Sequence, residues 1–178
     1  MKTVFKLILI VIFFNSCNSR QKDIQVIINE WQGKDILLPQ QIAYKVLGRD
    51  TVCSDLWNKP YKIFTYVDSI GCSSCQMRLD HWKSIIDLFT IQQLDVAVIF
   101  VVHSSNYKLL DKDLIANDFN HPIIYDYYDK FNKINHFPPI PYRTFLLDKD
   151  NKVKLLGSPL DSPEIWELYK KVITQSIF

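Results

Sequence analysis

The sequence has almost no excess of charge of either sign. Its 21 lysines and arginines nearly balance its 19 aspartates and glutamates, so the net charge is only +2. Domains that bind nucleic acid usually carry a basic patch and a clear positive excess. The aromatic residues, 13% of the chain, lie along apolar runs and are not interleaved with basic residues. The composition therefore predicts no nucleic-acid partner.

The N-terminal apolar run is too short to cross a bilayer comfortably, for which roughly 20 apolar residues are needed. The run extends from Leu7 to Phe14, and Lys2 and Lys6 precede it. A basic start, a short apolar segment and a small residue near its end are typical of an export signal. The first residues are therefore expected to direct export and not to belong to the folded domain.

The end of this signal resembles the lipobox of bacterial lipoproteins. Cys17 follows the small residue Ser16, although Phe14 and Asn15 stand where leucine and a small residue are commoner. The resemblance implies that Cys17 is lipidated, that residues 1–17 form a lipoprotein signal and that the chain is anchored by lipid to a membrane of the cell envelope. A periplasmic or an outer-membrane location fits equally, and simple secretion or a retained anchor are the alternatives.

Cysteines are too few for a disulfide scaffold, because there are four in 178 residues. Cys72 and Cys75 form a Cys-x-x-Cys pair, which would close too short a loop to stabilise the fold much. A catalytic or redox-sensing use is the better interpretation. Cys53 is left over and is expected to be a small buried apolar residue.

The four histidines give no metal-binding pattern. None is spaced with the cysteines as a known zinc or copper site requires. We therefore expect neither a metal nor another cofactor, and we expect surface or hydrogen-bonded positions for His81, His103, His121 and His136.

Residues 18–60 are predicted to form an N-terminal extension. Ile24, Ile27, Ile28 and Trp31 recur at helical spacing, and Gly33 can end that helix in a left-handed conformation. Short apolar runs separated by turns follow, which favours short strands or extended segments.

Residues 61–178 show the alternating pattern of one α/β domain. The first strand covers 61–67 and leads into a helix over 73–89, and the near-continuous apolar run at 94–102 predicts a central parallel strand. The remaining elements are a helix over 106–119, a short strand at 121–125, helical turns over 126–134, a hairpin of 143–148 and 152–156, and a last helix capped by Ser162. A mixed central sheet flanked by helices is expected.

Cys72 falls where the first strand of this domain meets its first helix. A thiol there lies in the positive field of the first helical turn, which favours the thiolate. This pair, followed by Ile140-Pro141 and then by the strand Thr144 to Asp148 and a hairpin, resembles the thioredoxin-like fold. With the export signal, it is most similar to membrane-tethered thiol-disulfide oxidoreductases of the TlpA/ResA type. The resemblance covers residues 61–177.

The resemblance implies the roles of the site residues. Cys72 would attack as the thiolate, Cys75 would resolve the mixed disulfide, and Pro141 would be the cis-proline that faces the pair. The implied partners are client proteins with thiols or disulfides and an unidentified redox partner, and tethered relatives mostly act as reductases. Tyr66 stands where relatives carry a buried acid, so that proton carrier is missing. Asp68 is expected to be a solvated loop carboxylate, with a role as auxiliary base as the alternative, and Arg143 is expected to be solvated, with binding of an anionic substrate group as the alternative.

Two other functions stay open. Ser69 to Cys72 is similar to the Thr/Ser-x-x-Cys of peroxiredoxins, and Arg143 could serve a peroxide, although Thr65 stands where that family has a proline. A thioredoxin-like lipoprotein without enzymatic activity, such as a metal chaperone or a subunit with a vestigial cysteine pair, is the other alternative. Chaperones of this fold use a wider cysteine spacing with a histidine.

Overall fold

The computed structural model of the chain describes residues 22–68 and 77–175. The predicted signal with Cys17, and the segment 69–76 with Cys72 and Cys75, lie outside the described residues. Contacts within the chain divide it into two units, one that ends at Gln32 and one that begins at Gly33.

The described part of the first unit is a helix at residues 22–31, labelled α1. It confirms the helix expected from the apolar spacing, and its last turn is extended by the Gln32 amide, which donates to the Ile28 carbonyl at 2.9 Å. Gly33 follows with a φ of 80°, a left-handed conformation that glycine adopts without steric cost. Across the described ranges, no helix combines the length and the apolar character that a membrane span requires.

The second unit is built on a seven-stranded mixed sheet. Its strand order is β2-β1-β5-β4-β3-β6-β7. Strands β3, β4 and β5 are parallel to one another, whereas β1, β2, β6 and β7 pair antiparallel with their neighbours. The strands are β1 (Tyr44–Val46), β2 (Arg49–Thr51), β3 (Tyr61–Val67), β4 (Val96–Val102), β5 (Ile123–Tyr125), β6 (Thr144–Leu147) and β7 (Val153–Leu156).

Helices connect the parallel strands, and a further helix follows the hairpin, as the sequence predicts. Of the helix expected over 73–89, residues 73–76 lie outside the described residues, and the described helix begins at Leu79, after Arg78 with a φ of 49°. A 3-10 helix at Ser54–Asn58 precedes β3, and the 36–39 run, one of the short strands or extended segments expected, forms no strand. The α-helices are α2 (Leu79–Ile91), α3 (Tyr107–Ala116), α4 (Lys130–Asn135) and α5 (Pro163–Gln175).

The run at 94–102 is buried because both faces of β4 are covered. On one face, Val98, Phe100 and Val102 join the main core, and the ring of Trp82 from α2 meets Phe100 edge-on at 5.4 Å. Each such side chain contributes about 1.5–3 kcal/mol when it is fully buried. The central parallel strand expected from the sequence is therefore confirmed.

The opposite face of the sheet carries a cluster of phenylalanines. Phe64 of β3 lies 5.6 Å from Phe137 and 6.1 Å from Phe131, measured between ring centroids, and Phe145 of β6 lies 6.2 Å from it. The cluster joins α4 and the residues after it to the sheet, close to the end of β3.

Helical spacing in the sequence predicts buried faces of Tyr107, Leu110, Leu114 and Ile115 in α3 and of Ile165, Leu168, Tyr169 and Val172 in α5, and two of these positions are wrong. Ile115 of α3 is 59% exposed and Leu168 of α5 is 51% exposed, whereas Leu114 and Tyr169 beside them are buried. Both helices rest on the sheet along a narrow stripe, so a residue one position away from that stripe points to solvent although it is apolar.

The outer edge of β7 is covered by the start of the second unit. The Gly33 amide donates to the Val153 carbonyl at 2.8 Å, and the Val153 amide donates to the Lys34 carbonyl at 2.9 Å. A β-bridge between Asp35 and Lys152 continues this pairing. The other edge of the sheet is the three-residue strand β2.

Candidate active site

Polar residues follow each of the three parallel strands at the same edge of the sheet. Asp68 comes directly after β3, and the backbone ladder continues past the strands: the His103 amide donates to the Val67 carbonyl at 2.8 Å, and the Asp126 amide donates to the Val102 carbonyl at 2.9 Å. The carboxyl ends of parallel strands are where open α/β sheets bind ligands. A functional site is therefore expected at this edge of the sheet.

Asp68 and Arg143 form an ion pair at this edge. Their side chains are 11% and 16% exposed, so the expectation that both are solvated is wrong. The Arg143 Nε also donates to the Pro138 carbonyl at 2.7 Å, and its guanidinium lies 5.7 Å from the centre of the Tyr66 ring. Both charges are thus neutralised and held between the end of β3 and the loop before β6.

Tyr66 is a neutral hydrogen-bond donor. It is 3% exposed, and its hydroxyl donates to the Asp129 carboxylate. Burial, followed by the neighbouring Asp129 carboxylate, raises the pKa of Tyr66 well above its usual range. The phenol therefore keeps its proton at any pH near neutrality.

A loop that contains Pro141 closes the site from the β6 side. The Ile140–Pro141 peptide bond is cis, the conformation that the resemblance implies for this bond. The Arg143 amide donates to the Pro141 carbonyl at 3.0 Å, and the Tyr66 amide donates to the Arg143 carbonyl at 3.0 Å. The loop is therefore joined to β3 through the backbone, and Ile140 is left 49% exposed.

A cleft of about 200 Å³ lies between this loop and the start of α2. Its wall at α2 contains Arg78, which is not among the site residues predicted from the sequence. The Arg78 guanidinium is 3.2 Å from the Asp161 carboxylate and donates to the Leu160 carbonyl at 3.0 Å. The position of Arg78, three residues after Cys75, is the sequence feature from which it could have been predicted. The cleft is lined by residues of β3, α2, the Pro141 loop and the segment before α5, among them Thr65, Asp68, Arg78, Trp82, Pro141, Arg143 and Leu160.

The described residues on either side of the cysteine pair both line the cleft. Asp68 precedes the segment 69–76 and Arg78 comes just after it. Cys72 and Cys75 lie within that segment, outside the described residues, so their roles and that of Pro141 stay predictions. The structure does bring Asp68, Pro141 and Arg143 together at one cleft.

The other candidate residues lie elsewhere or have structural roles. His103 Nδ1 is 2.8 Å from the Asp126 carbonyl and His121 Nε2 is 2.6 Å from the Val98 carbonyl, so both are hydrogen-bonded. Within 22–68 and 77–175, no group of three or more potential ligands could hold a metal ion. Cys53 is a free thiol with intermediate exposure, so it is less buried than expected.

Comparison with known proteins identifies the fold and leaves the family open. No protein-family model matches the sequence, and no curated protein matches it. Solved structures do match, including the thioredoxin domain of a thiol-disulfide oxidoreductase from Bacteroides vulgatus, which has 13% identity and a TM-score of 0.60 over 80% of this chain and 97% of that domain.

Two further solved structures show the same fold. A thiol:disulfide interchange protein from Bacteroides sp. has 13% identity and a TM-score of 0.56 over 79% of this chain and 91% of its own. A variant of the peroxiredoxin PrxQ from Xylella fastidiosa has 13% identity and a TM-score of 0.56 over 80% of this chain and 93% of its own. The fold of this chain is therefore thioredoxin-like, as the sequence predicts.

Proposed function

We propose that this protein is an exported, lipid-anchored thiol-disulfide oxidoreductase that reduces disulfides of client proteins. Cys72 is the attacking thiol, Cys75 is the resolving thiol and Pro141 forms part of the surface that receives the client. The lipid on Cys17 holds the domain at a membrane of the cell envelope.

One observation carries the proposal. In a thioredoxin-like fold, Asp68 and Arg78, which flank in sequence the segment that contains Cys72 and Cys75, both line a cleft, and the Pro141 loop forms another wall of that cleft. A disulfide must approach a thiolate along the axis of its own S–S bond, so an open cleft beside the pair is what exchange requires.

The reaction proceeds by two thiol-disulfide exchanges. The Cys72 thiolate attacks one sulfur of the client disulfide, a mixed disulfide forms, and the other client sulfur leaves as a thiolate that takes a proton from water. Cys75, as a thiolate, then attacks the Cys72 sulfur and releases the second client thiolate. Two electrons pass from the pair to the client, and a dithiol partner reduces the Cys72–Cys75 disulfide again.

The described charges at the cleft are balanced, which constrains how the thiolates are formed. Arg143 is paired with Asp68 and Arg78 with Asp161, and Tyr66 keeps its proton. The positive field expected to favour the Cys72 thiolate is therefore ascribed to the helix predicted to begin at Ser73, and not to a described side chain of the cleft. The proton of Cys75 is expected to leave to water.

Trapping tests the proposal directly. A Cys75→Ser protein should accumulate a mixed disulfide with a disulfide-containing client, because the resolving thiol is gone, and the trapped species should disappear on reduction. The matched control Cys72→Ser should trap nothing. A wild-type protein that is inert toward disulfides, together with a Cys75→Ser protein that forms no adduct, would refute the proposed activity.

The reduction potential of the Cys72/Cys75 pair tests the direction of electron flow. A reduction potential of about −270 mV would make the pair a reductant, and a reduction potential of about −120 mV would make it an oxidant. Stoichiometric consumption of peroxide with rapid oxidation of Cys72 to a sulfenate would instead assign a thiol peroxidase.

Lipidation is tested by a Cys17→Ser change, which should abolish incorporation of labelled fatty acid and release the protein from the membrane fraction.

A further inference from the structure

An apolar groove extends from the cleft along the surface between α2 and the start of α5. Leu160 and Asp161 line both the cleft and the groove, so the two form one continuous surface. The groove encloses about 500 Å³, enough for one or two large side chains but open along one side. Its other walls include Ser84, Ile85 and Leu88 of α2 and Ser162, Pro163 and Trp166 around the start of α5.

The polar groups of three of these residues are already engaged within the chain. The Asp161 carboxylate is paired with Arg78, the Ser162 hydroxyl accepts from the Ile165 amide at 3.2 Å, and the Ser84 hydroxyl donates to the carbonyl of Asp80 at 3.2 Å. Apart from the His81 imidazole, the remaining walls are aliphatic, prolyl and indole surfaces. The groove therefore favours an apolar occupant, because most of its surface is apolar and three of its polar side chains are engaged within the chain.

We propose that this groove binds an apolar segment of the client protein next to the client cysteine that reaches the cleft. This inference rests on the proposed function. We identify the occupant from the continuity of the groove with the cleft. When a client disulfide enters the cleft, the client residues beside it lie within reach of Leu160 and Asp161, which line both. Exchange should therefore be faster for disulfides flanked by leucine or valine than for those flanked by serine.

The test compares two peptide disulfides of equal length that differ only in the residues beside the cysteine, which are leucine and valine in one and serine in the other. The full-length protein should reduce the apolar peptide with a kcat/KM about tenfold higher, in the range that apolar pockets discriminate. The difference should lie mainly in KM, since the groove binds the client and does not touch the reacting sulfurs.

Two substitutions on α2 place a carboxylate in the groove. Leu88→Glu changes an apolar wall, and Ser84→Glu, at an exposed position, does so without loss of core packing. Each should bring the ratio of the two kcat/KM values close to one, because the KM of the apolar peptide rises. Ile91→Glu is the matched control, because Ile91 lies on the same helix, is 77% exposed and does not line the groove.

The outcomes separate this inference from the proposed function. Reduction of both peptides at equal rates by the wild-type protein, or a preference that survives in Ser84→Glu and Leu88→Glu, would overturn the groove assignment and leave the oxidoreductase intact. A preference that appears only after residues 1–21 are removed would assign the groove to the chain's own N-terminal segment and also overturn it. No reduction of either peptide would contradict the oxidoreductase itself.

Discussion

The carboxylate of Asp68 at the end of β3 is paired with the guanidinium of Arg143 in the loop before β6, and both side chains are largely buried. The pair connects two segments that are distant in sequence but frame the same cleft. Because Arg143 also donates to the Pro138 carbonyl, the pair fixes the Pro141 loop against the strand that leads to the cysteines.

Replacing Arg143 by methionine is expected to destabilise the protein by about 3 kcal/mol, because the Asp68 carboxylate would keep its burial and lose its counter-charge. Chemical unfolding followed by circular dichroism measures the loss. Lys59→Met is the matched control, since Lys59 pairs with Asp95 at 2.6 Å but the two side chains are 42% and 60% exposed. Lys59→Met should lower the free energy of unfolding by less than about 1 kcal/mol. Equal losses of stability in the two variants would contradict the claim that the Asp68–Arg143 pair is held in a buried environment.

Lys62→Met is expected to alter the pH dependence of stability. Lys62 is 0% exposed, and its Nζ donates to the carbonyls of Trp57, Lys59 and Lys149 at 3.3, 3.2 and 3.1 Å. Burial lowers the pKa of Lys62 below 10.5, so the unfolded chain binds this proton more tightly. The free energy of unfolding of the wild type should therefore rise relative to that of the variant as the pH approaches 10.5.

Lys152→Met is the comparison for Lys62→Met, because the pKa of Lys152 is shifted in the opposite direction. The hydrogen bond that the Lys152 ammonium donates to the Asp35 carboxylate raises the pKa of Lys152 above 10.5, so its stabilising contribution is complete below that pH and is lost only above it. The difference between wild type and Lys152→Met should be flat over the range in which the Lys62 difference rises. A flat Lys62 difference would show that its ammonium is not penalised by burial.

Tyr66→Phe should lower stability by about 1 kcal/mol and leave the pH profile of disulfide exchange unchanged. The stability loss is that of the hydrogen bond to Asp129, and the unchanged profile follows because the raised pKa of Tyr66 keeps it protonated. Tyr128→Phe, at a side chain that is 70% exposed, should change neither quantity. A shifted profile in Tyr66→Phe would show that the phenol takes part in proton transfer.

Gly48→Ala should cost more than Gly33→Ala although both positions have similar left-handed φ angles of 77° and 80°. A Cβ at Gly33 would meet nothing within 4 Å, whereas one at Gly48 would lie 2.9 Å from the Asp111 carboxylate. That carboxylate accepts from the Tyr125 hydroxyl, so moving it sacrifices a hydrogen bond. Thermal unfolding should show about 1 kcal/mol for Gly33→Ala and about twice that for Gly48→Ala.

Local patterns predicted most of the sheet and the order of its elements. The apolar run of β4 and the β-branched and aromatic residues of β3 identify buried strands, because only a strand covered on both faces tolerates apolar residues at consecutive positions. The apolar spacing does not determine the rotation of each helix about its axis on the sheet. Ile115 and Leu168 are therefore predicted to be buried, whereas both are exposed.

The charges of the site could not be predicted from local pattern. Asp68 follows a strand and Arg143 follows a proline-rich loop, and each alone is typical of a solvated residue. Their burial depends on a contact across 75 positions of sequence, which only the folded sheet creates. Lys62 is the same case, because three carbonyls from two segments, 57–59 and Lys149, converge on a position that a strand pattern assigns to the apolar interior.

The pairing of the segment at Gly33 and Lys34 with β7 has a consequence for association between molecules. A long bare outer strand offers its amides and carbonyls to any other extended chain, which is a route to aggregation. Here the β7 side is occupied by the chain itself, and the β2 side presents only a three-residue strand with the charged Arg49 and Asp50. Concentrated samples of the folded protein should therefore resist growth by strand addition at either flank of the sheet.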